Sequence, residues 1–151
     1  VTSLLDFYQQ HNISPVRQDV TDLPAHFARR AKLYRDLGIF DSVCDEPVLE
    51  IGPGGGHNAL YTQSLCPFRY VLLEPNHVGA EELRQRCEGW DVVEQRIEDY
   101  IGGDWFHLVL CEGLLGLCGS DPKVLLEHVI KHVAPGGVVV ITCIDAISDH
   151  A

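Results

Sequence analysis

Apolar and polar positions along the chain fall into two regimes. Up to about residue 45 the apolar positions recur with a helical period. In TDLPAHFARRAKLYRDLG (21–38), Phe27, Ala31 and Tyr34 stand at i, i+4 and i+7 and form one stripe. Asp22 supplies a cap, Pro24 sits in the first turn and Gly38 is a C-terminal stop. From Pro47 onward short apolar runs alternate with helical patterns. PVLEI (47–51), YVLLE (70–74), DVVEQ (91–95), FHLVLC (106–111) and VVVITC (138–143) read as strands. Helices are predicted over 57–64, over 77–89 and from Asp121-Pro122 onward. In the second, Ala80, Leu83 and Cys87 share a face and Gly89 closes the helix. In the third, Leu126, Val129, Ile130 and Val133 repeat at i, i+3, i+4 and i+7, and APGG (134–137) turns into the last strand.

Apolar strands alternating with helices predict an α/β fold: a doubly wound, mostly parallel, Rossmann-like sheet covered on both faces. Residues 1–45 form an N-terminal helical segment, a lid or cap, and residues 46–151 the core of a single domain. The chain reads as truncated after the fifth strand. With no methionine even at position 1, it also reads as beginning inside a longer product.

Composition narrows this only a little. A chain of 151 residues, 46% hydrophobic and 22% charged, makes one ordinary globular domain. The net charge of −11, with only Arg29 and Arg30 adjacent among the basic residues, argues against nucleic acid as a partner. None of the six cysteines forms a C-x-x-C pair, and their scatter suits reduced thiols in a cytoplasmic protein. No apolar run approaches the ~20 residues of a membrane span. Oligomeric state has no signature here.

Candidate chemistry begins at VLEIGPGGGHNAL (48–60). Gly52, Gly54 and Gly56, with Pro53 and Gly55 between them, make a G-x-G-x-G turn after the first strand. A turn that only packs is the plain alternative, but this many glycines cost entropy that packing rarely requires. A dinucleotide fingerprint needs a glycine where His57 stands, and a P-loop needs a lysine that is absent. Glu50, just ahead of the turn, would repel a pyrophosphate but would accept hydrogen bonds from an ammonium or a water. Glu74 ends the second strand, 22 residues after Gly52, where a carboxylate can hold both hydroxyls of a ribose. Together these features describe an adenosine-type ligand with an amino-acid-like tail.

VLEIGPGGG, YVLLEPN, FHLVLCEGLLGL and VAPGGVVVITC resemble, in order and spacing, the motifs of class I S-adenosylmethionine-dependent methyltransferases. The resemblance covers about residues 46–143. It implies S-adenosylmethionine as cofactor, with Glu50 and Gly52 to Gly56 along its methionine part, Glu74 on the ribose and Pro75 on the adenine side. Cys111 and Glu112 would lie near the methyl donor. The chain departs from the family in QRIED (95–99), which puts Arg96 at the usual acidic position. Ile97 is left to offer its backbone N–H to adenine, and Glu98 or Asp99 to take the carboxylate's role. Phe106-His107 replaces the usual Phe-Asp, and the family's sheet normally runs to seven strands.

The implied function is methyl transfer to a small molecule, or alternatively to a protein. No Asn-Pro-Pro-Tyr motif follows the fourth strand, which argues against amino methylation of nucleic-acid bases, and Cys66-Pro67 reverses the Pro-Cys order of a nucleophile. Methyl transfer from a sulfonium needs mainly alignment, so no catalytic residue declares itself. Glu112 is the best-placed polar group for a substrate, and Arg30 is a candidate partner for the cofactor carboxylate. Tyr34 reads as core. His57 either touches the cofactor or covers the turn. His128 and His132 share a predicted face with Lys131, which suits solvated side chains rather than a metal pair. Two other readings stay open: a non-catalytic cofactor-binding or interaction module of the same fold, and an NAD-dependent dehydrogenase.

Overall fold

A computed structural model describes residues 4–13, 20–115 and 121–143. Two helices come first, α1 (Leu4–Gln10) and α2 (Leu23–Asp36). Strands and helices then alternate: β1 (Pro47–Ile51), α3 (Ala59–Ser64), β2 (Arg69–Leu73), α4 (His77–Arg86) and β3 (Asp91–Val93). After a short 3-10 turn at Ile97–Asp99 come β4 (Phe106–Leu115), α5 (Pro122–Ile130) and β5 (Val133–Cys143). The strands lie in the order β3-β2-β1-β4-β5, and every pairing is parallel. Chain order therefore reverses between β1 and β4, which opens a crevice at the carboxyl ends of those two strands.

Local chemistry accounts for the helix ends. The Asp22 side chain accepts the Ala25 N–H at 3.0 Å and starts α2, which stops before Gly38 at φ 67°. Asn76 caps α4 through the Gly79 N–H at 2.8 Å, and Asp121 caps α5 through the Lys123 N–H at 2.8 Å. Alternation along the strands then sorts the core into two layers. Val48, Tyr70, Leu72, Leu108 and Leu110 face α2, α3 and α4, where Tyr34 and Leu83 meet them. Leu49, Val71, Leu73 and Val109 face Leu125 and Val129 of α5.

Three expectations shift. The buried face of α5 is Leu125 and Val129, one turn apart; Ile130 is 63% exposed, and Val133 already belongs to β5. APGG is not a separate turn but a bulge inside β5. A step of two residues on β4 (106 to 108) faces a step of five on β5 (133 to 138). His132, expected on a solvated helix face, lies beyond the end of α5 and is buried against the Tyr100 ring at 5.1 Å. Burial lowers its pKa. Among the described residues no helix is long and apolar enough to cross a membrane.

The two faces of α5 should separate in a stability measurement. Leu125→Ala is expected to cost about 2–5 kcal/mol and Ile130→Ala less than about 0.5 kcal/mol in urea unfolding. The reverse order would restore the Leu126/Ile130 face.

Candidate functional site

Side chains at the strand ends inherit the two-layer rule. Glu50 continues the Val48 side of β1, and Glu112 continues the Leu108–Leu110 side of β4, so both carboxylates lean toward α2 and α3. Ile51, Leu73 and Cys111 take the opposite side, toward α5. The glycine turn runs between these halves.

On the polar side Glu50 is buried, and its carboxylate accepts the Tyr70 hydroxyl from the neighbouring strand. It lies on the side of β1 that packs against α2 and α3. Burial pushes its pKa up to about 7; repulsion from Glu112 adds to this, while Tyr70 and Arg30 pull the other way. Glu112 is gripped by both terminal nitrogens of Arg30, at 2.8 and 2.5 Å. Arg30 also reaches the Tyr34 hydroxyl at 3.4 Å, and Tyr34 shares a 2.6 Å hydrogen bond with Thr62. Burial alone would lower the Arg30 pKa, but the Glu112 hydrogen bond and nearby acidic groups outweigh it, and the net shift is upward. Arg30 thus has an internal carboxylate partner, and Glu112 is an ion-paired group rather than a free base. Tyr34 is core, as expected.

Around the turn, Gly52 has φ 69° and donates its N–H to the Leu73 carbonyl at 2.8 Å. A Cβ on Gly52 would meet Leu114 Cδ2 at 2.6 Å, and one on Gly56 (φ 85°) would meet Leu83, so both positions demand glycine for conformation and space. Glu74, 3% exposed, accepts the N–H of Gly54 and that of Asn76, each at 2.8 Å. Burial raises its pKa, and the two backbone donors oppose the rise. The Gly55 carbonyl accepts from Arg86 at 2.5 Å. His57 is buried, and its backbone carbonyl accepts the His26 Nε2–H at 2.9 Å, which ties the turn to α2.

On the apolar side a cleft of about 40 Å³ opens beside the turn. Gly52, Pro75, Arg96, Ile97 and Leu114 are among its walls. The carbonyl of Pro75 also accepts from Gln9 of α1 at 3.4 Å. Cys111 is buried in the α5 layer, and Ile97 is buried at the cleft floor. The expected residues Glu50, Gly52 to Gly56, Glu74, Pro75, Arg96, Ile97 and Glu112 therefore gather at one end of the sheet; Cys111 belongs to the core beneath it. Sequence reasoning missed Tyr70, Leu114 and Arg86. A tyrosine inside an otherwise apolar buried strand was the only signal, and it needed the register Val48↔Tyr70 to be read. Among the described residues no group of His, Cys, Asp or Glu is arranged to hold a metal.

A family model described as a methyltransferase domain matches residues 8–151. No curated protein matches in sequence. Solved structures match in fold. N-methyltransferase NodS from Bradyrhizobium japonicum, in complex with S-adenosyl-L-homocysteine, is 22% identical with a TM-score of 0.64, over 81% of this chain and 63% of that one. DesVI of Streptomyces venezuelae is 18% identical with a TM-score of 0.68, over 90% and 62%. The glycopeptide N-methyltransferase MtfA complexed with sinefungin is 19% identical with a TM-score of 0.63, over 77% and 53%. The chain spans less than two thirds of each of these structures.

The buried Glu50 has a measurable consequence. Its folded pKa of about 7 lies above the ordinary 4.5. Between those values the folded state keeps a proton that the unfolded state has lost, so stability falls as pH rises through that window. The loss is on the order of 3 kcal/mol. Glu50→Gln keeps an acceptor for Tyr70 without the charge. It is expected to be more stable than the parent at pH 8 and to show no such gain at pH 4.5, in urea unfolding. An equal effect at both pH values would show that Glu50 titrates normally.

Proposed function

The chain belongs to the methyltransferase-domain family, and on that premise we propose that it is an S-adenosylmethionine-dependent methyltransferase acting on a small molecule. One observation carries the cofactor assignment: the buried Glu74 carboxylate joined to the glycine turn at Gly54. An ionised carboxylate offers about four lone-pair sites, and backbone donors take two, so two remain for a ribose diol. The apolar cleft at Ile97 and Pro75 suits the purine. Glu50 suits an ammonium, because a positive charge nearby would favour its ionised form.

S-Adenosylmethionine supplies a methyl group on a sulfonium that is its own leaving group. The residues of this chain have only to bind, align and exclude water. In this reading Glu74 holds the ribose, the Gly52–Gly56 backbone lets the methionine part approach, and Pro75, Arg96 and Ile97 flank the base. Glu112, fixed by Arg30, shapes the wall nearest the methyl group, beside Cys111. Its two oxygens are held by the two terminal nitrogens of Arg30, which fixes its orientation. Helix α2 closes that wall through Arg30.

One observation favours a second reading, a non-catalytic module. A cleft of about 40 Å³ is far below the ~300 Å³ of a small-molecule pocket. Leu114, packed over Gly52, has to move for a purine to enter.

Calorimetric titration with S-adenosylhomocysteine tests the cofactor assignment, and methyl transfer to a small-molecule acceptor by the same sample separates an enzyme from a module that only binds it. Binding is expected, with Glu74→Ala weakening it by about tenfold or more, the worth of a buried charged hydrogen bond. A well-folded sample that binds neither S-adenosylhomocysteine nor S-adenosylmethionine would leave the module reading.

A further inference from the structure

Arg86 closes α4, and its guanidinium leaves the helix to meet the glycine turn. Its Nη1 donates to the Gly55 carbonyl at 2.5 Å and to Glu82, one turn earlier, at 3.2 Å. The Arg86 carbonyl accepts from Gln63 of α3 at 3.2 Å. Leu83, also on α4, packs against Gly56. The C-terminal end of α4 therefore braces the second half of the turn, as Glu74 braces the first half through Gly54.

The brace matters because of what it holds. A peptide between two glycines has no Cβ on either side to oppose rotation, so the Gly55–Gly56 plane can flip at little steric cost. A flip would exchange the positions of its C=O and its N–H. The Gly56 N–H bond to the Pro53 carbonyl, at 3.1 Å, is an ordinary neutral one, whereas the Arg86 bond is charge-assisted. We infer that Arg86 is a positioning residue for the ligand turn: it selects one orientation of the Gly55–Gly56 peptide and so keeps the turn in its binding-competent form. A ligand pays for any fraction of the protein in the flipped form through a proportionally weaker apparent affinity.

The affinity part rests on the cofactor reading above; the backbone part does not. Amide exchange of Gly54, Gly55 and Gly56 in the ligand-free protein is therefore one arm of the test, and titration with S-adenosylhomocysteine the other. In Arg86→Met the three amides are expected to exchange about tenfold faster, with β1 and β2 amides unchanged, and affinity to fall about tenfold. Arg86→Lys keeps a cationic donor and should recover most of both losses, which a merely structural α4 residue would not show. Unchanged exchange and affinity in Arg86→Met overturn the inference. If Arg86→Met does not fold, Glu82→Gln, which removes only the carboxylate that orients the guanidinium, should weaken both readouts about threefold. No change there overturns the inference equally. Failure of the parent protein to bind S-adenosylhomocysteine would remove the cofactor reading, and exchange alone would then decide the role of Arg86.

Discussion

The organising contact is the Glu74 carboxylate on the N–H groups of Gly54 and Asn76. Through it the turn after β1, the end of β2 and the start of α4 become one hydrogen-bonded unit, since Asn76 also caps α4. A buried carboxylate is costly unless its lone pairs are satisfied, and backbone donors at fixed positions satisfy it most rigidly. The turn cannot drift from β2 without exposing that cost. Glycines that would otherwise sample many conformations are thus held by a group whose own burial depends on them.

Given that anchor, strand alternation does the rest. Successive residues at the carboxyl end of a strand face opposite layers, so one strand end supplies a polar wall and an apolar wall at once. Glu50 and Ile51 divide this way on β1, as Glu112 and Cys111 do on β4. The result is a site with charge on the α2–α3 side, apolar surface on the α5 side and bare backbone between. A ligand with a charged end and a flat apolar end matches that division, which no single motif describes.

The parts of this legible in the sequence are those set by neighbours in the chain. Apolar runs bounded by Pro47 and Gly52 locate β1, and Asp22 and Asp121 locate two helix starts, because caps and turns act over three or four residues. The strand that Glu74 follows can be read for the same reason. What escaped depends on register or on long separations. Arg30 meets Glu112 across 82 positions, and Tyr70 meets Glu50 only because β1 and β2 pair with Val48 beside Tyr70. The α5 face escapes the sequence because five apolar residues in nine fit two helical stripes, and contact with Ile97 and Val109 selects Leu125 and Val129. APGG has the composition of a turn, and only the β4–β5 register makes it a bulge.

Charge balance on the polar wall bears on what the turn can hold. Glu50 and Glu112 are served by one guanidinium, and Arg30 gives both its terminal nitrogens to Glu112. Glu50 is left with a neutral donor, Tyr70; burial first, and then the repulsion of Glu112, push its pKa up to about 7 against the pull of Tyr70 and Arg30. A ligand that brings positive charge beside Glu50 relieves this imbalance, and one that brings phosphate aggravates it. The discrimination is independent of the glycines, whose bare backbone would suit either. In the proposed reading the glycine turn sets how closely a ligand approaches, and the Glu50 carboxyl behind it favours a ligand that brings positive charge over one that brings phosphate.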